Sequence, residues 1–194
     1  MSKVTIQGDA SGTGIFTIAS PNSNTDRTLV LPDEAGTVMT TSSAISRANL
    51  PAGSVLQVQS FTSTTPATHS GGWADMGDMS VSITPYYSTS KILIIASLHT
   101  EMDGSNLGST RIDRNGTVIG SGSGGAHRVW LSQGYSGANG TNSGVQYLDS
   151  PATTSALTYK LQWWVNSGTA YLNRGVNTTL YNDTSTITVW EIAG

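Results

Sequence analysis

Leu157-Thr158-Tyr159-Lys160-Leu161-Gln162-Trp163-Trp164-Val165-Asn166 is the stretch whose reading decides the fold. Side chains of an extended strand alternate between two faces, which puts Leu157, Tyr159, Leu161, Trp163 and Val165 on one side and Thr158, Lys160, Gln162, Trp164 and Asn166 on the other. The first set is a core face. The second is polar except for Trp164, which either a loop of its own chain or a neighbouring subunit has to cover; aromatic residues are enriched at interfaces. A run of ten residues with period two and no helical spacing reads as a strand.

The same alternation recurs on both sides of this stretch. Ile92, Ile94, Ala96 and Leu98 alternate with Leu93, Ile95, Ser97 and His99, and Thr186, Thr188, Trp190 and Ile192 alternate with Ile187, Val189 and Glu191. In these two strands both faces carry large apolar groups. Strands buried on both sides need a covering layer or a neighbouring subunit, and few segments remain to build such a layer. A homo-oligomer follows, with Ile95, Trp164, Trp190 and Ile192 as candidate interface residues.

From Ser54 onward, strand-like runs separated by turn residues are expected at Val55 to Phe61, Met79 to Thr84, Lys91 to His99, Ser109 to Arg114, Thr117 to Gly120, His127 to Ser132, Gly144 to Leu148, Leu157 to Val165, Thr169 to Asn173 and Ser185 to Ile192. Asn115-Gly116 between two of them is a tight-hairpin signal, because both central residues of a primed turn need positive φ. About ten short strands without a long helix fit an all-β, jelly-roll-like sandwich. Residues 1 to about 50 read differently, as short β pieces at Val4 to Gln7, Ile15 to Ala19, Thr28 to Leu31 and Thr37 to Thr40. They form either a shaft shared between chains or a flexible tail. Ser42 to Leu50, with Ala44, Ile45, Ala48 and Leu50 at helical spacing, is expected to form a short helix before Pro51-Ala52-Gly53. The domain boundary is placed there, giving an N-terminal attachment or shaft segment over 1–50 and a sandwich head over 51–194.

Composition agrees with strands. The 194 residues include 27 Ser, 27 Thr and 22 Gly, while charged residues make up 11%, against about a quarter in an average soluble domain. Glu, Lys and Arg, which cover the exposed faces of helices, are scarce; Thr, Val, Ile, Tyr and Trp suit pleated sheets. A net charge of -3 with nine scattered Lys and Arg offers no basic stripe, so no nucleic-acid partner is expected. The absence of Cys removes disulfides, thiolate metal sites and thiol catalysis. Met1 to Gly8 lacks an apolar signal core and no later stretch is apolar and long enough to cross a bilayer, which implies folding in the cytoplasm and no membrane insertion.

Two blocks carry a resemblance. Ser20-Pro21-Asn22-Ser23-Asn24-Thr25-Asp26-Arg27-Thr28-Leu29-Val30-Leu31-Pro32-Asp33-Glu34-Ala35-Gly36-Thr37-Val38 resembles a segment near the base of small tail-fibre-like, receptor-binding structural proteins of tailed bacteriophages, especially those of marine and freshwater bacteria, including cyanophages. Ser82 to Ile94, Leu148 to Gln162 and Ser185 to Ile192 resemble the C-terminal head of the same proteins. The resemblance implies a trimeric jelly-roll head similar in style to tumour-necrosis-factor and complement-type domains. It also implies a place in the virion, assembled in the host cytoplasm, with the N-terminal segment contacting other virion proteins and the head contacting a host surface glycan or protein receptor.

No chemical signature accompanies it. His69, His99 and His127 lie far apart, and only Glu101, two residues after His99, could share a strand face with one of them; a satisfied polar pair outweighs a metal site. Gly120 to Gly125 matches GxGxxG formally, but a strand follows where a phosphate cradle needs a helix. Asp33 with Glu34, Asp75 with Asp78, Glu101 with Asp103, and Asp149 supply carboxylates without a defined separation. No catalysis, cofactor or metal is expected. The binding candidates are Tyr135, Asn139 and Asn142 in the Gly- and Ser-rich run 131–144, and Trp73 in His69 to Asp75. Such loops combine adaptable hydrogen bonding with an aromatic contact; the plain alternative is a solvated connection. The expected function is host attachment by a short tail fibre, with a capsid decoration protein and a small carbohydrate-active hydrolase as rivals.

Overall fold

The computed structural model describes residues 10–15, 17, 19, 22–26, 28, 45–102, 108–120, 129–131, 141–174 and 183–194. The chain divides into two compact units, Met1–Ser42 and Ser43–Gly194. Within the first, the described residues are exposed and outside regular structure; Ile15 is 93% exposed. The strands expected to include Ile15, Thr17, Ala19 and Thr28 do not form at those positions, where no ladder partner is present. The pieces at 4–7 and 37–40 lie outside the described residues.

Of the helix expected over 42–50, residues 42–44 lie outside the described residues and 45–50 hold one 3-10 turn at Arg47–Asn49. Pro51 disfavours helical backbone at the residue before it, and Leu50 is accordingly extended, with ψ 138°. Ser46 Oγ accepts from the Ala48 N–H at 3.4 Å, and the Arg47 guanidinium lies 3.9 Å over the Tyr86 ring. Arg47 thereby contacts the rest of the second unit.

That unit is an all-β sandwich of two antiparallel sheets. In chain order its strands are β1 (Val55–Ser63), β2 (Ala67–His69), β3 (Ala74–Ile83), β4 (Lys91–Met102), β5 (Gly108–Arg114), β6 (Thr117–Ile119), β7 (Val129–Leu131), β8 (Thr141–Asp149), β9 (Leu157–Val165), β10 (Ala170–Leu172) and β11 (Ser185–Ile192). One sheet runs β1-β11-β4-β8, with β10 and β2 extending it beside the end of β4; the other runs β3-β9-β5, with β6 and β7 both on β5. The pairings nest: β1 with β11, β3 with β9, β4 with β8, β5 with β6. They describe one long two-stranded ribbon rolled up until β11 also meets β4 and β9 also meets β5. This is jelly-roll topology.

Alternation supplies the core between the sheets. Ile92, Ile94, Leu98, Ile187 and Val189 from one side meet Tyr159, Leu161, Trp163 and Val165 from the other, all at most 1% exposed. Each large side chain so buried contributes about 1.5–3 kcal/mol of transfer free energy. β3 begins five residues earlier than its expected start at Met79 because the register shifts between Asp75 and Ser80. Met76 and Met79, three apart, both reach the core across that irregularity. Gly77 makes it possible, with φ 54° and a space in which a Cβ would stand 3.2 Å from Ala67 Cβ. The short β2, which sequence periodicity does not reveal, pairs with β10.

The Asn115-Gly116 hairpin forms as expected, with φ 50° and 87°. Asn115 also extends the ladder beyond β5: its N–H donates to Thr158 O at 3.1 Å, and its Oδ1 accepts from Thr158 N–H at 2.8 Å.

Two buried carboxylates tie elements together. Glu191, fully buried, accepts from Gln57 Nε2 at 2.6 Å, Tyr86 N–H at 2.8 Å and Ser90 Oγ at 2.7 Å. Asp149 at the end of β8 receives both oxygens' bonds from Arg114 Nη1 at 2.9 and 2.7 Å and one from Tyr159 Oη at 2.8 Å, linking the sheets. Burial, then this hydrogen bond, pushes the Tyr159 hydroxyl far above the usual tyrosine range, so it stays a donor. Hydrogen bonds to a charged acceptor contribute about 1.5–3 kcal/mol each. Glu191→Ala is therefore expected to lower unfolding free energy by about 3 kcal/mol, and Ser88→Ala in the exposed β3–β4 loop by less than about 0.5 kcal/mol, in urea titrations followed by circular dichroism.

Candidate functional site

Two outward faces carry the side chains of interest, one on each sheet. On the β3-β9-β5 sheet, ladder register places Asp75 opposite Gln162 and Gln162 opposite Arg111. These residues form a row of contacts across three strands. Arg111 Nε donates to Gln162 Oε1 at 2.7 Å, Gln162 Nε2 donates to Asp75 Oδ1 at 2.8 Å, and Lys160 Nζ donates to Asp75 Oδ2 at 2.9 Å. The Arg111 guanidinium lies 4.2 Å from the centre of the Trp73 ring. Trp164, two residues from Gln162 on the same face and opposite the small Ser109, is half-buried. Trp73 and Trp164, assigned separately by sequence to binding and to subunit contact, thus occupy one face.

Gln162 and Lys160 hold the Asp75 carboxyl below the ordinary carboxylate range, the Gln162 hydrogen bond being the larger cause. Asp75 in turn raises Lys160. A lowered carboxyl pKa favours the folded state at pH above the unfolded value of about 4, and this gain is lost as pH falls through the folded value. Both side chains are over 40% exposed, so solvent screens the pair.

The β1-β11-β4-β8 sheet presents a different surface. Val58 is opposite Trp190, Trp190 opposite Leu93, and Leu93 opposite Leu148, so one apolar row crosses four strands. The next row is Ser60, Thr188, Ile95 and Gln146. Val58 is 43% exposed, Ile95 41% and Leu148 48%; Val55, at 46%, pairs with the half-buried Ile192. Ile95, Trp190 and Ile192 therefore share a face. Trp164 is on the other sheet. Alternation puts Leu93 on the same side of its strand as Ile95, but sequence does not single out Val58 and Leu148, because only register brings them into line with Trp190.

No protein-family model and no curated protein matches the chain. Among solved structures it is similar to the VP2 subviral particle of infectious bursal disease virus, at 11% identity and TM-score 0.39 over 71% of this chain and 38% of that one. It is similar also to a point mutant of that VP2 in derived T=1 particles, at 11% identity and TM-score 0.39 over 78% and 41%. The chain spans less than half the length of the structures it matches.

The remaining candidates are dispersed. Asn142 is exposed on β8, opposite His99. His99 Nε2 contacts Asp183 Oδ2 at 3.0 Å, so its partner is Asp183 and not the buried Glu101 two residues on. His69 stacks on Trp163, with ring centres 5.4 Å apart, and bonds Gly72 O. Tyr135, Asn139, His127, Asp33, Glu34 and Asp103 lie outside the described residues. Among the described residues no group of three or more His, Cys, Asp or Glu is placed to hold a metal ion, and no helix is long and apolar enough to cross a membrane.

If the Gln162 hydrogen bond dominates, Gln162→Ala will move the Asp75 titration toward the ordinary carboxylate value. Carboxyl-detected NMR between pH 2 and 6 would read this. An unmoved titration would assign the depression to Lys160 alone.

Proposed function

We propose that this protein is a structural component of a phage virion, a homotrimeric short tail fibre or receptor-binding protein that attaches the particle to the host surface. The observation that carries the oligomeric part is the apolar row Val58, Trp190, Leu93 and Leu148 on the outside of a sheet that no other layer of the described chain covers. Contiguous exposed apolar surface of this kind marks an interaction site. The occupant is a further copy of the same chain. On one side the row is flanked by neutral residues, Ser60, Thr188, Gln146, Ser97 and Gly144; on the other, Val55 and Ile192 continue the apolar surface as far as the exposed Lys91 at its edge. Three copies around an axis withdraw the face from water.

The virion role is supported by the resemblance of 20–38 and of the three head segments to tail-fibre-like proteins. In this reading the N-terminal segment contacts other virion proteins and the head engages a host glycan or protein, without catalysis, cofactor or metal. Avidity from threefold repetition makes weak single contacts sufficient.

Sedimentation equilibrium is expected to give three times the monomer mass. Leu148→Asp, which places a charge in the apolar row, should shift the protein to monomer with its far-ultraviolet circular dichroism unchanged; a wild-type monomer at micromolar concentration overturns the assembly. Immunogold labelling of intact particles is expected at the tail. Label confined to the shell would assign the protein to capsid decoration instead.

A further inference from the structure

We propose that the outer face of β3, β9 and β5 binds an acidic saccharide, a sugar unit bearing a carboxylate, with Arg111 as the anion-binding group. The proposal rests on the attachment role above and gives its ligand a chemical class and a location.

Arg111 stands on β5, at the end of the row that crosses β3, β9 and β5, with its guanidinium fixed from two directions. The Trp73 ring lies against its plane, and Gln162 Oε1 takes its Nε proton. That orientation leaves the edge bearing the two terminal amino groups unengaged by any hydrogen bond among the described residues. The nearby carboxylates are committed elsewhere. Asp75 is bonded by Gln162 and Lys160, and Asp113 Oδ1 accepts the Gly116 N–H at 2.9 Å. Among the described residues no carboxylate lies within ion-pair distance of Arg111. Lys160 is paired with Asp75 and faces Asp113 across the ladder, so the face holds two cations and two carboxylates; Arg111 is set apart by geometry, as the cation whose planar fork has no ion-pair partner among the described residues.

A planar fork matches a carboxylate through two parallel hydrogen bonds, a geometry lysine cannot reproduce. Bordering groups suit a sugar. Trp164, half-buried on the diagonal from Arg111 and opposite the small Ser109, adds aromatic surface against which the C–H groups of a pyranose can pack. The Lys160 ammonium, which gives one of its three donors to Asp75, has others to offer a sugar hydroxyl beside the row. An outer sheet face suits an extended polysaccharide better than it encloses a small metabolite. An interface fixed in advance also loses little side-chain entropy on binding.

The full-length protein would be titrated by calorimetry, and by tryptophan fluorescence, with three oligosaccharides of equal length: a uronate, its neutral analogue and a sulfated one. Expected is binding of the uronate, with tryptophan emission changed and affinity falling as salt rises. The neutral analogue should bind at least about tenfold more weakly, and Arg111→Lys should lose about tenfold despite keeping its charge. Arg111→Ala should abolish binding, with the urea midpoint checked alongside; Arg111→Lys keeps the test open if the alanine variant fails to fold. Equal binding of neutral and acidic sugars, unaltered affinity in Arg111→Lys, or no uronate binding at millimolar concentration overturns the proposal. Equal binding of the sulfated sugar overturns the carboxylate assignment. Tail labelling of virions by antibody is independent of these titrations, so an absent sugar site with a labelled tail would sink this inference and leave the attachment role standing.

Discussion

Two sheets can bury only the faces they turn toward each other, and every other feature of the head follows from that limit. Period-two alternation fills the space between the sheets with Ile92, Ile94, Leu161, Trp163, Ile187 and Val189. Whatever stands on the outward positions must then be polar, or be covered by something beyond the sandwich. One outer face meets the first condition through the Arg111, Gln162, Asp75 and Lys160 row. The other does not, since Val58, Trp190, Leu93 and Leu148 cross it in a line. A single architecture thus yields two chemically opposite surfaces on its two sheets.

Few charges are available to hold such a fold, and those inside it act through hydrogen bonds made at the ends of strands. Asp149 binds Arg114 and Tyr159 where the two sheets approach, and Glu191 gathers Gln57, Tyr86 and Ser90 around the far end of β11. Asn173, also fully buried and at φ 57°, donates to Ser63 O at 3.1 Å and Thr65 O at 3.2 Å and accepts from Ser185 Oγ at 2.6 Å. It joins the β1–β2 bend to the start of β11. Each group satisfies backbone or hydroxyl donors and acceptors that would otherwise be buried unpaired, a more costly condition than the bonds are individually favourable.

Much of this was legible before any coordinates. β9 and β11 have the bounds their alternation indicates, and Asn115-Gly116 turns as its two positive φ values require. The places where reading failed have separate causes. Met76 and Met79 violate strict alternation because an irregular register intervenes, and β2 is too short for periodicity to register. In the region of the helix expected over 42–50, the described residues hold one 3-10 turn, and the restriction that Pro51 places on Leu50 accounts for where that turn ends.

Local rules act on neighbours in sequence: steric alternation, turn preferences and composition sufficed to determine an all-β chain and most of its strands, and for β9 which side is apolar, but in β4 and β11, apolar on both sides, they left the core side open. Which strands lie side by side depends on contacts between residues far apart along the chain, such as Gln57 with Glu191 or Asp75 with Lys160. Tertiary structure alone decided that Trp73 and Trp164 flank one arginine, that Trp190 aligns with Val58, Leu93 and Leu148, and that these groups belong to different faces. Register between strands is set by the global packing of the sandwich, and no local propensity encodes it.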